Sequence, residues 1–383
     1  MGMMKCRTSR RRKRWAFLSL LMLIPLLILG LRGKDFHFLN DVDWLKDEPG
    51  VRFGNFGLAY AGIDEASINC KLSDLKAFSI EMVIYPKERI QSDGFKMILT
   101  FHDGDDRRQL FLGQYRSFLV VMNGDDYENK KKVNRIAAQI FAKRSEKMYL
   151  TLTSGMDGTK LYVNGECIQS KPDLILKVSH GNKTRMTLGN SVYGKNPWAG
   201  FVYGLAFYSD SLDPKTVAQR YGIWSRTHEF PFPKEGHPLL FYPLDEKTGR
   251  EAVDRLSGRQ KLLMPSCFPI LEKRFLTLPG REVKADFNLF WDVVLNLLGF
   301  VPLSAVLYML FYESGGFFRQ RAVILSVGLC FLISLGIETA QVWIPSRTSQ
   351  MTDLLFNTLG GVFGASTCKF LMVRRVAQKI SRA

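Results

Sequence analysis

Residues 338–361 read ETAQVWIPSRTSQMTDLLFNTLGG. Two apolar stretches flank a short hairpin, and charged residues sit inside them. An ionisable side chain within a membrane-spanning helix is costly, so by default it marks a site or a paired structural cluster. On a helix, residues three and four apart share a face. Glu338 and Gln341 therefore point the same way, with Ser334 one turn deeper. Asp353 and Asn357 share another face, continued by Gly360, Gly361 and Gly364. Upstream, Asp292, Asn296 and Gly299 form a third polar stripe before Pro302. Small residues on such stripes let helix backbones approach, and polar groups bond across them.

Working outward, three stretches can cross a hydrocarbon core of ~30 Å, which takes ~20 helical residues. They are about 288–312, 322–344 and 352–373. A fourth, Trp15–Leu31, follows a basic N-terminus (1–14). It reads as an uncleaved anchor, because no small-x-small site follows and the run is longer than a signal core. The net charge is +17, and residues 1–34 hold nine basic and no acidic residues. The link 313–321 carries Arg319 and Arg321, and the tail 374–383 carries Arg374, Arg375, Lys379 and Arg382. The positive-inside rule puts these clusters in the cytoplasm. Four spans with both termini cytoplasmic follow, with residues 35–285 and the hairpin 345–350 outside. Charge placed in this way serves membrane topology and argues against a nucleic-acid partner. The three stripes then converge in the outer third of the bilayer beside Arg347, which is expected to fork onto a carboxylate.

The middle of the chain has a different period. Short alternating apolar runs are separated by Gly, Asp and Asn turns: Phe78–Tyr85, Lys96–Phe101, Gln109–Leu112, Ser117–Met122, Lys147–Thr153, Lys160–Val163, Arg185–Gly189 and Gly200–Tyr208. Such a series predicts an all-β sandwich or barrel. Asn164-Gly165 is a two-residue hairpin signal. Asp213-Pro214 predicts a capped helix start.

These residues resemble the concanavalin A-like lectin/glucanase fold in its laminin G-like form. The resemblance is carried by AFSIEMVIYP near residue 80, GTKLYVNGE near 160 and PWAGFVYGLAFYSDSLDP near 200. It implies a jelly-roll sandwich over 35–275 and, as in many relatives, glycan binding. Residues 239–265 repeat a theme that usually opens such domains. Here they either supply the last strand or form a separate edge piece.

No Glu-x-Asp-x-x-Glu pattern is present, so the paired carboxylates a retaining glycosidase needs are missing from any one strand. Glu81 reads as an outward-facing charge on its strand. Asp103, Asp105 and Asp106 form an oxygen-rich turn that suits calcium, or is simply solvated. Tyr115, Tyr127, Tyr193 and Trp198 are candidates for stacking on sugar rings, or ordinary core. Asn182-Lys183-Thr184 matches a glycosylation acceptor. Cys70, Cys167 and Cys267 allow one disulfide and a free thiol, or none. Cysteine spacing implies no structural zinc.

The C-terminal region resembles the VanZ family of membrane proteins. The residues that carry the resemblance are DVVLNLLGFVPL from Asp292, and the Glu338, Gln341, Arg347, Asp353, Asn357 and Gly360 spacing of the opening stretch. The founding member is linked to glycopeptide-antibiotic resistance. The resemblance implies a VanZ-like domain over 286–373, with Trp15–Leu31 as its first span and the sandwich inserted in the loop that follows. Three readings stay open. The first is a bacterial cytoplasmic-membrane protein that binds a glycan outside and a lipid or lipid-linked envelope precursor in its bundle. The second is an intramembrane enzyme, with Glu338 or Asp353 as acid/base and Arg347 holding an anionic headgroup. The third reading is an anchored adhesion or scaffold protein.

Overall fold

The computed structural model describes residues 2–32, 39–66, 68, 70–88, 94–127, 131–142, 146–178, 184–272, 275–277, 287–344, 347 and 349–380. Side chains are described for these residues except 2–9, 287–292, 376, 379 and 380. The chain divides into two compact units, His37–Leu271 and Met1–Phe36 with Glu272–Ala383.

In the first unit the strands run β1 Val42–Trp44, β2 Val51–Phe53, β3 Ala59–Gly62, β4 Phe78–Pro86, β5 Phe95–His102, β6 Leu110–Tyr115, β7 Phe118–Asn123, β8 Ile136–Ala138, β9 Met148–Gly155, β10 Gly158–Val163, β11 Glu166–Lys171, β12 Arg185–Leu188, β13 Gly200–Tyr208, β14 Pro238–Tyr242, β15 Glu251–Val253 and β16 Lys261–Leu263. One sheet is ordered β1-β2-β13-β4-β9-β10-β11, with β14 also paired to β13. The other is ordered β15-β16-β3-β12-β5-β6-β7-β8. Alternation along β4 sends Phe78, Ile80, Met82 and Ile84 into the core between the sheets. The β10–β11 turn places Asn164 at φ 53° and Gly165 at φ 79°. That left-handed pair matches the twist of the strands it joins.

Residues 239–265 complete the sandwich in both sheets. β14 pairs with β13 through Leu205↔Tyr242, and β16 meets β3 at Leu263↔Tyr60. The buried Asp254 carboxylate holds the return, accepting from the Phe241 and Ser257 backbone N–H groups at 2.8 Å each. Cys70, Cys167, Cys267, Cys330 and Cys368 are all free thiols. The acceptor Asn182 lies outside the described residues.

The helix announced by Asp213-Pro214 is Pro214–Thr227. Asp213 Oδ1 accepts from Lys215 N at 2.9 Å and Thr216 N at 3.2 Å. The helix covers the outer face of the first sheet, burying Val217, Arg220 and Trp224. Nearly every residue of β4 is buried in consequence.

In the second unit, helix α1 is Gly2–Leu31. With the sandwich helix as α2, the remaining helices are α3 Phe287–Ser314, α4 Gly316–Gln320, α5 Ala322–Gln341 and α6 Met351–Ile380. Three helices are, among the described residues, long and apolar enough to cross a membrane: Arg10–Leu31, Val293–Ser314 and Ala322–Gln341. α5 stops at Gln341 rather than at 344. α6 is long enough, but Asp353, Asn357 and Lys369 lower its apolarity. Its small face packs closely on α3. A Cβ at Gly360 would sit 2.2 Å from Leu297 O, and one at Gly364 would sit 2.1 Å from Val301 O. At the same contact Ser304 Oγ donates to Gly361 O at 2.6 Å.

Candidate functional site

The site forms where α5 ends and α6 begins. Ser334, Glu338 and Gln341 lie on the buried face of α5, as a 3.6-residue period requires. Glu338 Oε2 accepts from the Gln350 backbone N–H at 2.7 Å. Ser349 also bonds its carboxylate, and Asp353 and Arg347 lie within Coulombic range of it. On α6, Asn357 Nδ2 donates to Ser334 Oγ at 2.9 Å. The hairpin is braced from before α3, where Thr277 N donates to Ser349 O at 2.9 Å and Met351 N donates to Thr277 O at 3.1 Å.

Arg347 behaves differently from its expected role. Its Nη2 donates to Leu29 O at 2.7 Å and its Nε to Arg32 O at 3.0 Å. Gln341 Nε2 donates to Gly30 O at 2.9 Å. The last carbonyls of a helix lack intrahelical partners, and a cation there also complements the helix dipole. Arg347 and Gln341 therefore cap α1. The guanidinium donates to carbonyls, where a carboxylate was expected.

Two acceptors are left over. Gln341 Oε1 and Asn357 Oδ1 are buried and have no hydrogen-bond partner among the described residues. Each such atom costs about 1–3 kcal/mol. Glu338, Gln341 and Asn357 are 1%, 5% and 4% exposed. The arrangement is thus a buried, acceptor-rich cluster. Asn296 is half-buried on α3 and makes none of these bonds, and the Asp292 side chain lies outside the described residues.

On the sandwich, the four aromatic candidates separate. Trp198 is 0% exposed and donates from Nε1 to Gln114 Oε1 at 3.0 Å. It is core, so its nomination as a sugar contact is corrected: no ring face reaches solvent. Tyr115, Tyr127 and Tyr193 are half-buried. Tyr127 packs on Phe95 and Phe111, and its hydroxyl accepts from Gln109 Nε2 at 2.6 Å. Tyr193 meets His102 edge-on at 6.0 Å. His102 Nδ1 accepts from Gly104 N at 3.1 Å, so its Nε2 carries the proton toward Asp106 Oδ1, 2.9 Å away.

The aspartates of the calcium expectation all face cationic or hydrogen-bonding partners. Asp105 pairs with Arg107 at 2.9 Å, and that hydrogen bond holds its carboxyl down at about 2. Asp103 lies 3.8 Å from Arg108, and Asp106 holds His102. A calcium ion would have to displace these partners. Among the described residues no group of three or more His, Cys, Asp and Glu is arranged to hold a metal.

The family described as VanZ/LLP1 matches residues 239–372, and the concanavalin A-like lectin/glucanases superfamily matches residues 61–218. The chain carries a VanZ-like domain and a concanavalin A-like domain. No curated protein matches the chain. Similar solved structures include a protein from Bacteroides ovatus described as carbohydrate binding. It shows 15% identity over 59% of this chain and 62% of that one, with a TM-score of 0.39. Another is the binding domain of botulinum neurotoxin DC in complex with rat synaptotagmin II, at 15% identity over 57% of each chain and a TM-score of 0.39. This chain thus spans less than two thirds of either, and likeness at that level transfers no ligand to it.

Two features of the concanavalin A-like domain escaped the sequence reading. Glu81 is 0% exposed, where an outward charge was expected. It pairs with Arg220 Nε at 2.6 Å and accepts from the Tyr208 hydroxyl. Burial pulls the Arg220 guanidinium down, but the charge and hydrogen bond of Glu81, together with Tyr149 and Tyr208, outweigh it and keep the cation above its ordinary value. Arg220 also donates to Pro231 O and Phe232 O. The second feature is an aromatic row on the outer face of the first sheet. Tyr85 and Phe201 are cross-strand partners with ring centroids 5.8 Å apart, and Tyr203 follows at 6.4 Å from Phe201. Arg52 pairs with Phe201 on the other side, in register. Only the cross-strand register reveals this row.

Proposed function

We propose that this is a multi-pass protein of a bacterial cytoplasmic membrane that recognises a sugar-bearing envelope molecule. The VanZ-like domain takes the hydroxyl-bearing headgroup of a lipid or lipid-linked precursor. The concanavalin A-like domain binds glycan outside the membrane. α6 is the fourth span, because Asn357 turns inward onto α5 and Lys369 lies toward its basic end. The basic N-terminus, the α3–α5 link and the tail are cytoplasmic.

The observation that carries the headgroup reading is the pair of orphan acceptors, Gln341 Oε1 and Asn357 Oδ1, beside the Glu338 carboxylate. Acceptors call for donors. Hydroxyls supply them, and a phosphate does not. Arg347 is occupied with the end of α1, so an anionic headgroup has no obvious claim on it. Glu338 is held by Gln350 N and Ser349, an arrangement that suits a fixed acceptor better than a proton shuttle.

The test is Asn357→Leu in the full chain. The change relieves the orphan amide oxygen but also removes the buried bond from Nδ2 to Ser334 Oγ, so thermal stability should shift by no more than about 1–2 kcal/mol, while retention of glycolipid through purification drops about tenfold, the value of one lost hydrogen bond. Unchanged retention with normal folding would remove the headgroup reading and leave an anchor. Glycan binding is tested on arrays with the full chain in detergent. Tyr193→Ala and Tyr115→Ala probe one sheet face, and Tyr85→Ala with Phe201→Ala probes the other. Packing of a sugar ring on such an aromatic face is worth a few kcal/mol at most, so a loss of ten- to a hundredfold at one face is expected. Absence of any glycan signal would leave the domain a scaffold.

A further inference from the structure

At the opposite end of the VanZ-like helices from the hairpin, α4, the start of α5 and the last turns of α6 enclose an open cavity of about 600 Å³. Its floor is apolar, with Ile324 and Phe370 71% and 54% exposed. Its rim carries Arg321 and Lys369, with Gln320 and Ser366 beside them. Neither cation has a carboxylate partner among the described residues. The sequence explains why: there is no acidic residue between Glu313 and Glu338, and none after Asp353. Glu313, the nearest acid, faces Arg11 at 3.7 Å.

Arg321 lies over the Phe317 ring at 4.8 Å, and the neighbouring cations also meet aromatic rings. Arg319 donates to the Tyr312 hydroxyl at 2.5 Å and lies over its ring. Arg374 lies over Phe370 at 4.5 Å. α4 exposes Phe317 and Phe318, at 57% and 48%, between these basic residues. Aromatic rings beside Arg and Lys are the composition of a membrane–water interface. The cavity therefore sits at headgroup depth, with its apolar floor toward the acyl chains.

We propose that this cavity binds one anionic glycerophospholipid of the adjoining leaflet. Its phosphate lies between Arg321 and Lys369. Ser366 and Gln320 donate to the headgroup oxygens, and an acyl chain lies along Ile324 and Phe370. Basic pockets between membrane helices on the cytoplasmic side favour such lipids. The inference rests on the reading that these helices span a membrane. It is independent of the acceptor-rich cluster, which is at the other end of the bundle and has the opposite polarity.

The full chain is reconstituted with equimolar phosphatidylglycerol and phosphatidylcholine, and bound lipid is counted by native mass spectrometry. About thirtyfold enrichment of phosphatidylglycerol is expected, from two cations that each contribute about 1 kcal/mol to one bound lipid. Arg321→Gln with Lys369→Gln should reduce it below about twofold, whereas Arg319→Gln should leave it intact. Arg321→Lys guards against misfolding, since it keeps the charge and should keep the preference. Equal binding of the two lipids would overturn the inference, as would enrichment that survives the double variant. Retention of neither lipid would overturn the membrane reading itself.

Discussion

Glu81 shows how a residue is misjudged when only its own strand is read. A period of two places it opposite Ile80 and Met82, and an open outer face was the natural assumption. The outer face is covered by α2, and Arg220 reaches down to meet it. The missed signal lay in α2: Val217, Arg220 and Trp224 share one helical face, and a cation on an apolar stripe calls for a buried acid. Removing one partner of such a pair costs about 3–5 kcal/mol. Glu81→Gln should therefore lower the unfolding midpoint of the domain by roughly 10 °C, followed by tryptophan fluorescence of the full chain. An unchanged midpoint would mean the pair is not buried as described. Tyr208 extends the argument to pH. Burial first, and the Glu81 charge second, raise its phenol above the ordinary value of about 10. The folded state holds the neutral phenol, so its contribution is complete below pH about 10 and fades as pH rises further. Alkaline unfolding should coincide with tyrosinate absorbance, and Tyr208→Phe should shift it to higher pH. The polar face of Glu338, Gln341 and Asn357 was legible, because helical spacing alone aligns it. The partners of Arg347 were not: they are backbone carbonyls 315 and 318 residues away, and a carbonyl leaves no mark in sequence.

Among the elements, those with strong local chemistry were the most legible. Asn164-Gly165 names its own turn, and Asp213-Pro214 names its own helix start. β14 and β16 are the counter-example. Residues 239–265 were read as either a last strand or a separate edge piece, and their membership of two different sheets depends on long-range register that local pattern does not encode. The α3–α6 contact is the sharpest packing constraint. Gly364 must remain without a Cβ, because Val301 O occupies that space. Gly364→Ala should destabilise the bundle by about 1–3 kcal/mol or force the helices apart. Gly336, whose added Cβ would meet nothing within 4 Å, provides the control, and Gly336→Ala should be neutral. Equal effects on thermal aggregation of the two variants would contradict the close packing.

For the whole molecule, topology was read from charge; among the described residues three helices are long and apolar enough to cross a membrane, with α6 proposed as the fourth. Native cysteines test it. Cys167 and Cys267 are exposed thiols of the sandwich, and Cys6 belongs to the basic N-terminus. A membrane-impermeant maleimide applied to intact cells should label the first two, and Cys6 only after lysis. Labelling of Cys6 alone would invert the protein. The central claim is that the hairpin end of the bundle is a hydroxyl-binding site. Trp343 is 62% exposed beside it and offers an intrinsic reporter. The most direct measurement titrates the full chain in detergent with a glycosyl-diacylglycerol and, separately, with the same diacylglycerol lacking its sugar. The account predicts saturable quenching or enhancement for the glycolipid, at least about tenfold tighter than for the sugar-free lipid, with the difference abolished by Asn357→Leu. Equal affinity for the two lipids, or a preference that survives Asn357→Leu, would contradict it.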